Sequence, residues 1–153
     1  MVLALLSGCA APVFKDAPAI VATPVDIASE PERYHGADVI WGGKIIDVRN
    51  LTDTTEVEVV AYPLDASQRP DQNAPTSGRF IVAIPGYVEP FDFPTGRFVT
   101  LRGRVDGTRV TRVDEHEVAF PLVADANVHV WPANFPYEQS RVHFSFGLGV
   151  GIH

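Results

Sequence analysis

The sequence predicts an all-β domain, a small OB-like β-barrel of about six strands with one short helical turn. Three observations carry this. Residues 54–62 place Val57, Val59 and Ala61 in alternation with Glu56, Glu58 and Val60, the pattern of a half-buried strand. Twelve glycines and thirteen prolines punctuate the chain with turn signals at short intervals. Gly42-Gly43 lies inside the β-rich run 38–48, where paired glycines signal a bulge or a sharp coil, and a bent strand favours a barrel over a flat sheet.

In chain order, the first element is an uncharged apolar run ending in Leu6-Ser7-Gly8-Cys9, followed by Ala10 and Ala11. It resembles a bacterial lipobox. The resemblance implies that residues 1–8 are a lipoprotein signal peptide and that Cys9 becomes an acylated N-terminus. Each buried methylene is worth about 0.8 kcal/mol, so two or three acyl chains hold a protein on a membrane where one does not. No Lys or Arg precedes the run, and it is shorter than a usual signal core. The expectation is a signal peptide truncated at its N-terminus by a late start codon. The absence of Asp after Cys9 points, by the same resemblance, to the outer membrane.

Residues 9–25, broken by Pro12, Pro18 and Pro24, read as the acylated cysteine and a flexible tether. The β domain is expected over residues 26–134. It opens with a helical turn in which Ser29 is the N-cap, Glu32 its capping-box partner and Gly36 the stop. Strands follow at 38–48, 54–62 and 79–84, with a proline-rich loop at 63–78 and a second loop at 85–96. Strands 97–105 and 108–113 flank Asp106-Gly107, which reads as a hairpin turn. The last strands of the domain fall at 118–123 and 128–131. Residues 135–153 form a tail in which Phe144, Phe146, Leu148, Val150 and Ile152 alternate with small residues and histidines. That tail is expected either to close the domain's own sheet or to add to the edge of a partner's.

Composition narrows the function. The formal charge is −7 and the pI is about 5.1, so the chain repels phosphate backbones and no nucleic-acid partner is expected. A single cysteine excludes an intramolecular disulfide and a cysteine-based zinc site. No apolar run reaches the roughly 20 residues of a membrane-spanning helix.

Several segments, taken in order, carry a family resemblance. They are Pro31-Glu32-Arg33-Tyr34-His35-Gly36, Trp41-Gly42-Gly43-Lys44-Ile45, Pro63-Leu64-Asp65 with Arg69-Pro70, Gly78-Arg79-Phe80, and Gly96-Arg97-Phe98-Val99-Thr100-Leu101 ending in Gly103. From Ser29 to Pro132 the chain resembles the Slp-type, starvation-inducible outer-membrane lipoproteins of Gram-negative bacteria. The resemblance implies a lipid-anchored envelope protein and brings no catalytic residue or cofactor with it. The expected function is a non-catalytic module for stress adaptation or envelope integrity that acts by binding, with its domain facing the periplasm. An envelope protein or lipopolysaccharide is the expected partner.

Residue clusters suggest further chemistry. Arg102, Arg104, Arg109 and Arg112, with Arg97, make a basic patch on an acidic chain, a candidate anion-binding surface for lipopolysaccharide phosphates; the alternative is ion pairing to Glu56 and Glu58. Asp114-Glu115-His116-Glu117 surrounds an imidazole with carboxylates. A metal-assisted hydrolase around His116 is therefore the alternative function, against an ordinary solvated turn. No metal and no cofactor are expected. Trp41, Tyr87, Phe91, Phe93, Trp131, Phe135 and Tyr137 are candidates for a groove lining, with core packing the favoured reading.

Overall fold

The computed structural model describes residues 10–135. Five strands, β1 (Asp38–Asn50), β2 (Thr54–Tyr62), β3 (Arg79–Pro85), β4 (Phe98–Val113) and β5 (His116–Val130), form a closed barrel in the order β1-β2-β3-β5-β4. Every neighbouring pair is antiparallel except β3 with β5, which run parallel through Ile81↔Leu122 and Val82↔Val123. The expected all-β, OB-like barrel is the observed fold, with five strands in place of about six.

The strand count differs because the turn-like residues Gly107 and Asp125 form bulges within strands rather than ends of them. Asp106-Gly107 does not turn the chain. Gly107 takes φ +84° at a register shift between Val105 and Thr108, so its left-handed backbone makes a bulge within one long β4. The turn lies further on, where Val113 pairs with His116 and Asp114 adopts φ +53°. A second register shift, beside Asp125 at φ +51°, bends β5 where two separate strands were expected.

The barrel interior holds Val39, Trp41, Ile45, Val57, Val59, Phe80, Val82, Val99, Leu101, Val105 and Val123, one face of each strand in alternation. The glycine pair in β1 has a steric cause. A Cβ on Gly43 would fall on the carbonyl of Val60 across the β1–β2 ladder, and one on Gly42 would meet the Val99 carbonyl at 2.7 Å and Leu64 at 2.8 Å. The close approach of two strands and of the 63–78 loop therefore requires hydrogen in place of a side chain.

Two short helices precede the barrel, α1 (Pro24–Ser29) and α2 (Pro31–Tyr34). The expected helical turn is α2, but Ser29 does not cap it. Glu30 occupies the N-cap without a side-chain hydrogen bond, and Ser29 closes α1 instead. The capping box belongs to α1, where Thr23 and Asp26 bond reciprocally and Pro24 starts the helix. Its Ile27 is fully buried in the barrel core.

Candidate binding cleft

The segment before α1, within the expected flexible tether, lies against the barrel. The Ala10 carbonyl accepts from the Ser67 hydroxyl at 2.8 Å. Phe14 is gripped by one side chain, donating its N–H to Gln68 Oε1 at 2.7 Å and accepting from Gln68 Nε2 at 3.2 Å. Further on, Ile20 donates to the Asp38 carbonyl at 2.9 Å, and the Trp41 indole donates to the Ala22 carbonyl at 2.8 Å. A polar bond every few residues fixes a strip that turns once, at residues 13–16, and has no helix or strand of its own.

Gln68 is the pivot of this arrangement. Its backbone sits at φ +62°, a conformation that a non-glycine residue holds only when its surroundings over-determine it. Here its carbonyl accepts from the Thr100 hydroxyl at 2.7 Å, and that hydroxyl accepts from the Trp131 indole at 2.9 Å. The main chain of Gln68 is thus tied to the barrel wall while its side chain holds the N-terminal strip.

Between the strip and the barrel opens a cleft of about 380 Å³. Ile20, Trp41, Tyr62, Leu64 and Gln68 line it, a mostly apolar wall with a few polar groups, within the size range of small-molecule sites. Trp41 is 7% exposed and packs on Phe80 at 5.1 Å, so the cleft floor is continuous with the core. Asp26 stands at the mouth; the N–H and hydroxyl of Thr23 hold its carboxyl below its ordinary value of 3.8.

The arginine patch does not converge. Arg102 and Arg104 share a smaller pocket of about 210 Å³ with Asp38, Asp125 and Asn127, and Arg104 pairs with Asp125 at 2.8 Å. Beyond the bulge, Arg109 lies 2.7 Å from Glu56, a carboxylate only 4% exposed that Arg49 also approaches at 3.4 Å. Arg79 pairs with Glu58 at 3.3 Å. Two of the four candidate arginines are thus partnered by carboxylates, and Arg112 stands apart, exposed near the β4–β5 turn. The outer face of β2 is acidic and covered by guanidinium groups.

Asp114, Glu115, His116 and Glu117 occupy the exposed β4–β5 turn. Among the described residues, no three His, Cys, Asp or Glu side chains are grouped to hold a metal ion. The aromatic set divides. Trp41 and Phe135 are buried, Phe93 and Trp131 half-buried, and Tyr87 and Phe91 exposed. Of these only Trp41 lines the cleft, and Tyr137 lies outside the described residues, as do Cys9 and the tail 136–153. Nothing local in the sequence marks Tyr62 or Gln68 as cleft residues, and Leu64 stands out only within the Pro63-Leu64-Asp65 segment of the family resemblance, because their role is to meet a segment some 50 positions away.

No helix among the described residues is long and apolar enough to cross a membrane. The chain is 35% identical over 83 residues to the uncharacterized lipoprotein YeaY of Escherichia coli (strain K12), covering 54% of this chain and 42% of that protein. It is 28% identical over 114 residues to an uncharacterized protein of Haemophilus influenzae, covering 74% and 62%. To the outer membrane protein Slp of Escherichia coli (strain K12) it is 29% identical over 107 residues, covering 70% and 56%. The chain spans about half the length of the curated relatives it matches. No solved structure matches it. Residues 6–148 match the family described as "Outer membrane lipoprotein Slp family". The chain therefore belongs to the Slp family of outer-membrane lipoproteins, and its place is the outer membrane.

Proposed function

We propose that this chain is a non-catalytic module, acylated at Cys9, that supports envelope integrity under stress or starvation by binding. Its domain faces the periplasm. The observation that carries the reading is the apolar cleft walled on one side by the strip that leads directly from Cys9. A strip held by backbone bonds at Ala10, Phe14, Ile20 and Ala22 makes the anchor and the binding surface parts of one unit. The lining offers apolar surface with few polar groups, which suits binding more than bond-breaking. Hydrolysis around His116 has no such support, since that imidazole stands on an exposed hairpin end away from the cleft.

The test is genetic and needs no knowledge of the ligand. A strain lacking the gene is complemented with the wild-type chain, with Cys9→Ser or with Trp41→Ala, and starved cells are challenged with detergent. Wild type is expected to restore survival, whereas neither variant does. Full restoration by Cys9→Ser overturns the anchored reading, and full restoration by a stably folded Trp41→Ala overturns the cleft.

A further inference from the structure

The position of Ala10 limits how this domain sits once it is on a membrane. Its carbonyl is held by Ser67, so the residue that follows Cys9 lies on the β2–β3 loop with no slack chain between anchor and barrel. Acyl chains on Cys9 would bring that loop to within a residue or two of the lipid headgroups, at about 3.8 Å per residue. The cleft shares this side of the molecule, since Gln68, next to Ser67, lines it. Exposed apolar side chains stand beside it, with the carboxylates of Asp26 and Asp65 also at the surface: Val21 is fully exposed, Val25 is 59% exposed and Ile20 39%. Apolar side chains beside a lipid anchor add membrane affinity in proportion to the area they bury.

Apart from Val110 on the β4–β5 hairpin, the other exposed large apolar residues among those described lie far away. Leu51, Tyr87 and Phe91 gather around the β1–β2 turn, where Asn50 exchanges hydrogen bonds with the backbone of Val88. Thr54 and Tyr62 mark opposite ends of β2, about 25 Å apart at the usual strand rise. A barrel seated by its cleft end therefore holds this second group away from the bilayer.

Resting on the acylation of Cys9 proposed above, we infer that the cleft end of the barrel is a membrane seat. Ile20, Val21 and Val25 enter the headgroup layer, and an acyl chain of a bilayer phospholipid fills the cleft against Trp41. The bilayer is the fitting occupant because the anchor delivers this face to it, and a mostly apolar cleft whose lining carboxylate, Asp26, is exposed rather than buried suits a hydrocarbon chain. The net charge of −7 makes a zwitterionic surface the appropriate probe.

The experiment adds the full-length acylated chain to preformed vesicles of phosphatidylethanolamine and phosphatidylcholine. Val21→Cys and Phe91→Cys are labelled with a membrane-impermeant maleimide, and the same substitutions in a Cys9→Ser background serve as reference. Intact mass establishes acylation beforehand. Val21→Cys is expected to react about ten-fold more slowly in the acylated chain, through burial in the interface, while Phe91→Cys reacts equally in both backgrounds. In a Trp131→Phe chain, phospholipids brominated along the acyl chain are expected to quench Trp41. Acylated protein in which Val21→Cys still reacts at the reference rate overturns the seat alone. Protection of Val21→Cys without quenching of Trp41 overturns the filled cleft. A mass without acyl chains overturns the anchor reading, and the seat falls with it.

Discussion

Replacing Gly43 by alanine tests the packing that makes this barrel close. A Cβ at that position overlaps the Val60 carbonyl, and neither atom is the free end of a flexible side chain. The β1–β2 ladder must open around the pairs Gly43↔Ala61 and Lys44↔Val60. Losing two ladder hydrogen bonds costs about 2 kcal/mol at about 1 kcal/mol each. Residual angle distortion adds about 1 kcal/mol, for a total near 3 kcal/mol. For a domain of this size the thermal midpoint should fall by roughly 10 °C. Gly107→Ala is the control, because a Cβ there meets nothing within 4 Å and only its φ of +84° is strained. It should cost about 1–2 kcal/mol. Thermal unfolding of both variants by circular dichroism orders them directly. A Gly43→Ala midpoint unchanged from wild type, or a larger loss for Gly107→Ala, refutes the close-approach argument.

Four further outcomes follow from the contacts described. Gln68→Leu should free the chain at Phe14 while leaving the barrel intact, seen as faster amide exchange at Phe14 with a stability loss of no more than about 1 kcal/mol. Phe135→Ala, which empties a fully buried site beside Phe98 and Trp131, should cost about 3 kcal/mol in chemical denaturation, whereas removal of residues 142–153 should leave the midpoint close to wild type because the ring closes through β1 to β5. Arg109→Ala should destabilise more than Arg112→Ala, by about 1 kcal/mol, since only Arg109 meets the buried Glu56, where Arg49 remains as a second partner. Asp26, depressed by its bonds to Thr23, stabilises α1 above the ordinary carboxylate pKa of 3.8 and loses that contribution as pH falls through its lower folded value. The midpoint difference between wild type and Asp26→Asn should therefore be present at pH 7 and shrink in strong acid.

The sequence conveys some parts of this molecule better than others, and the reasons are physical. β1, β2 and β3 are legible because their inner faces alternate and glycine or proline bounds them. β4 and β5 are not legible as single strands. Gly107 and Asp125 supply left-handed backbone, which serves a bulge as well as a turn, and only the pairing across the ladder decides between them. α1 was readable from Thr23-Pro24 and Asp26, a capping pattern hidden in a proline-broken stretch that otherwise suits a tether. The arginines of β4 form a patch in one dimension, and the fold disperses it by bringing Asp125 and Glu56 to Arg104 and Arg109. The cleft had no local signal, since its walls come from residues near 20, 41, 62 and 68.

The central claim is that this barrel is carried at the outer membrane by acyl chains on Cys9. The most direct measurement expresses the gene with its native upstream DNA in a Gram-negative host, supplies labelled palmitate, and compares wild type with Cys9→Ser after separation of the two membranes. The account predicts label on wild type alone and wild type in the outer-membrane fraction. Absence of label from the wild-type chain, or equal label on Cys9→Ser, would contradict it.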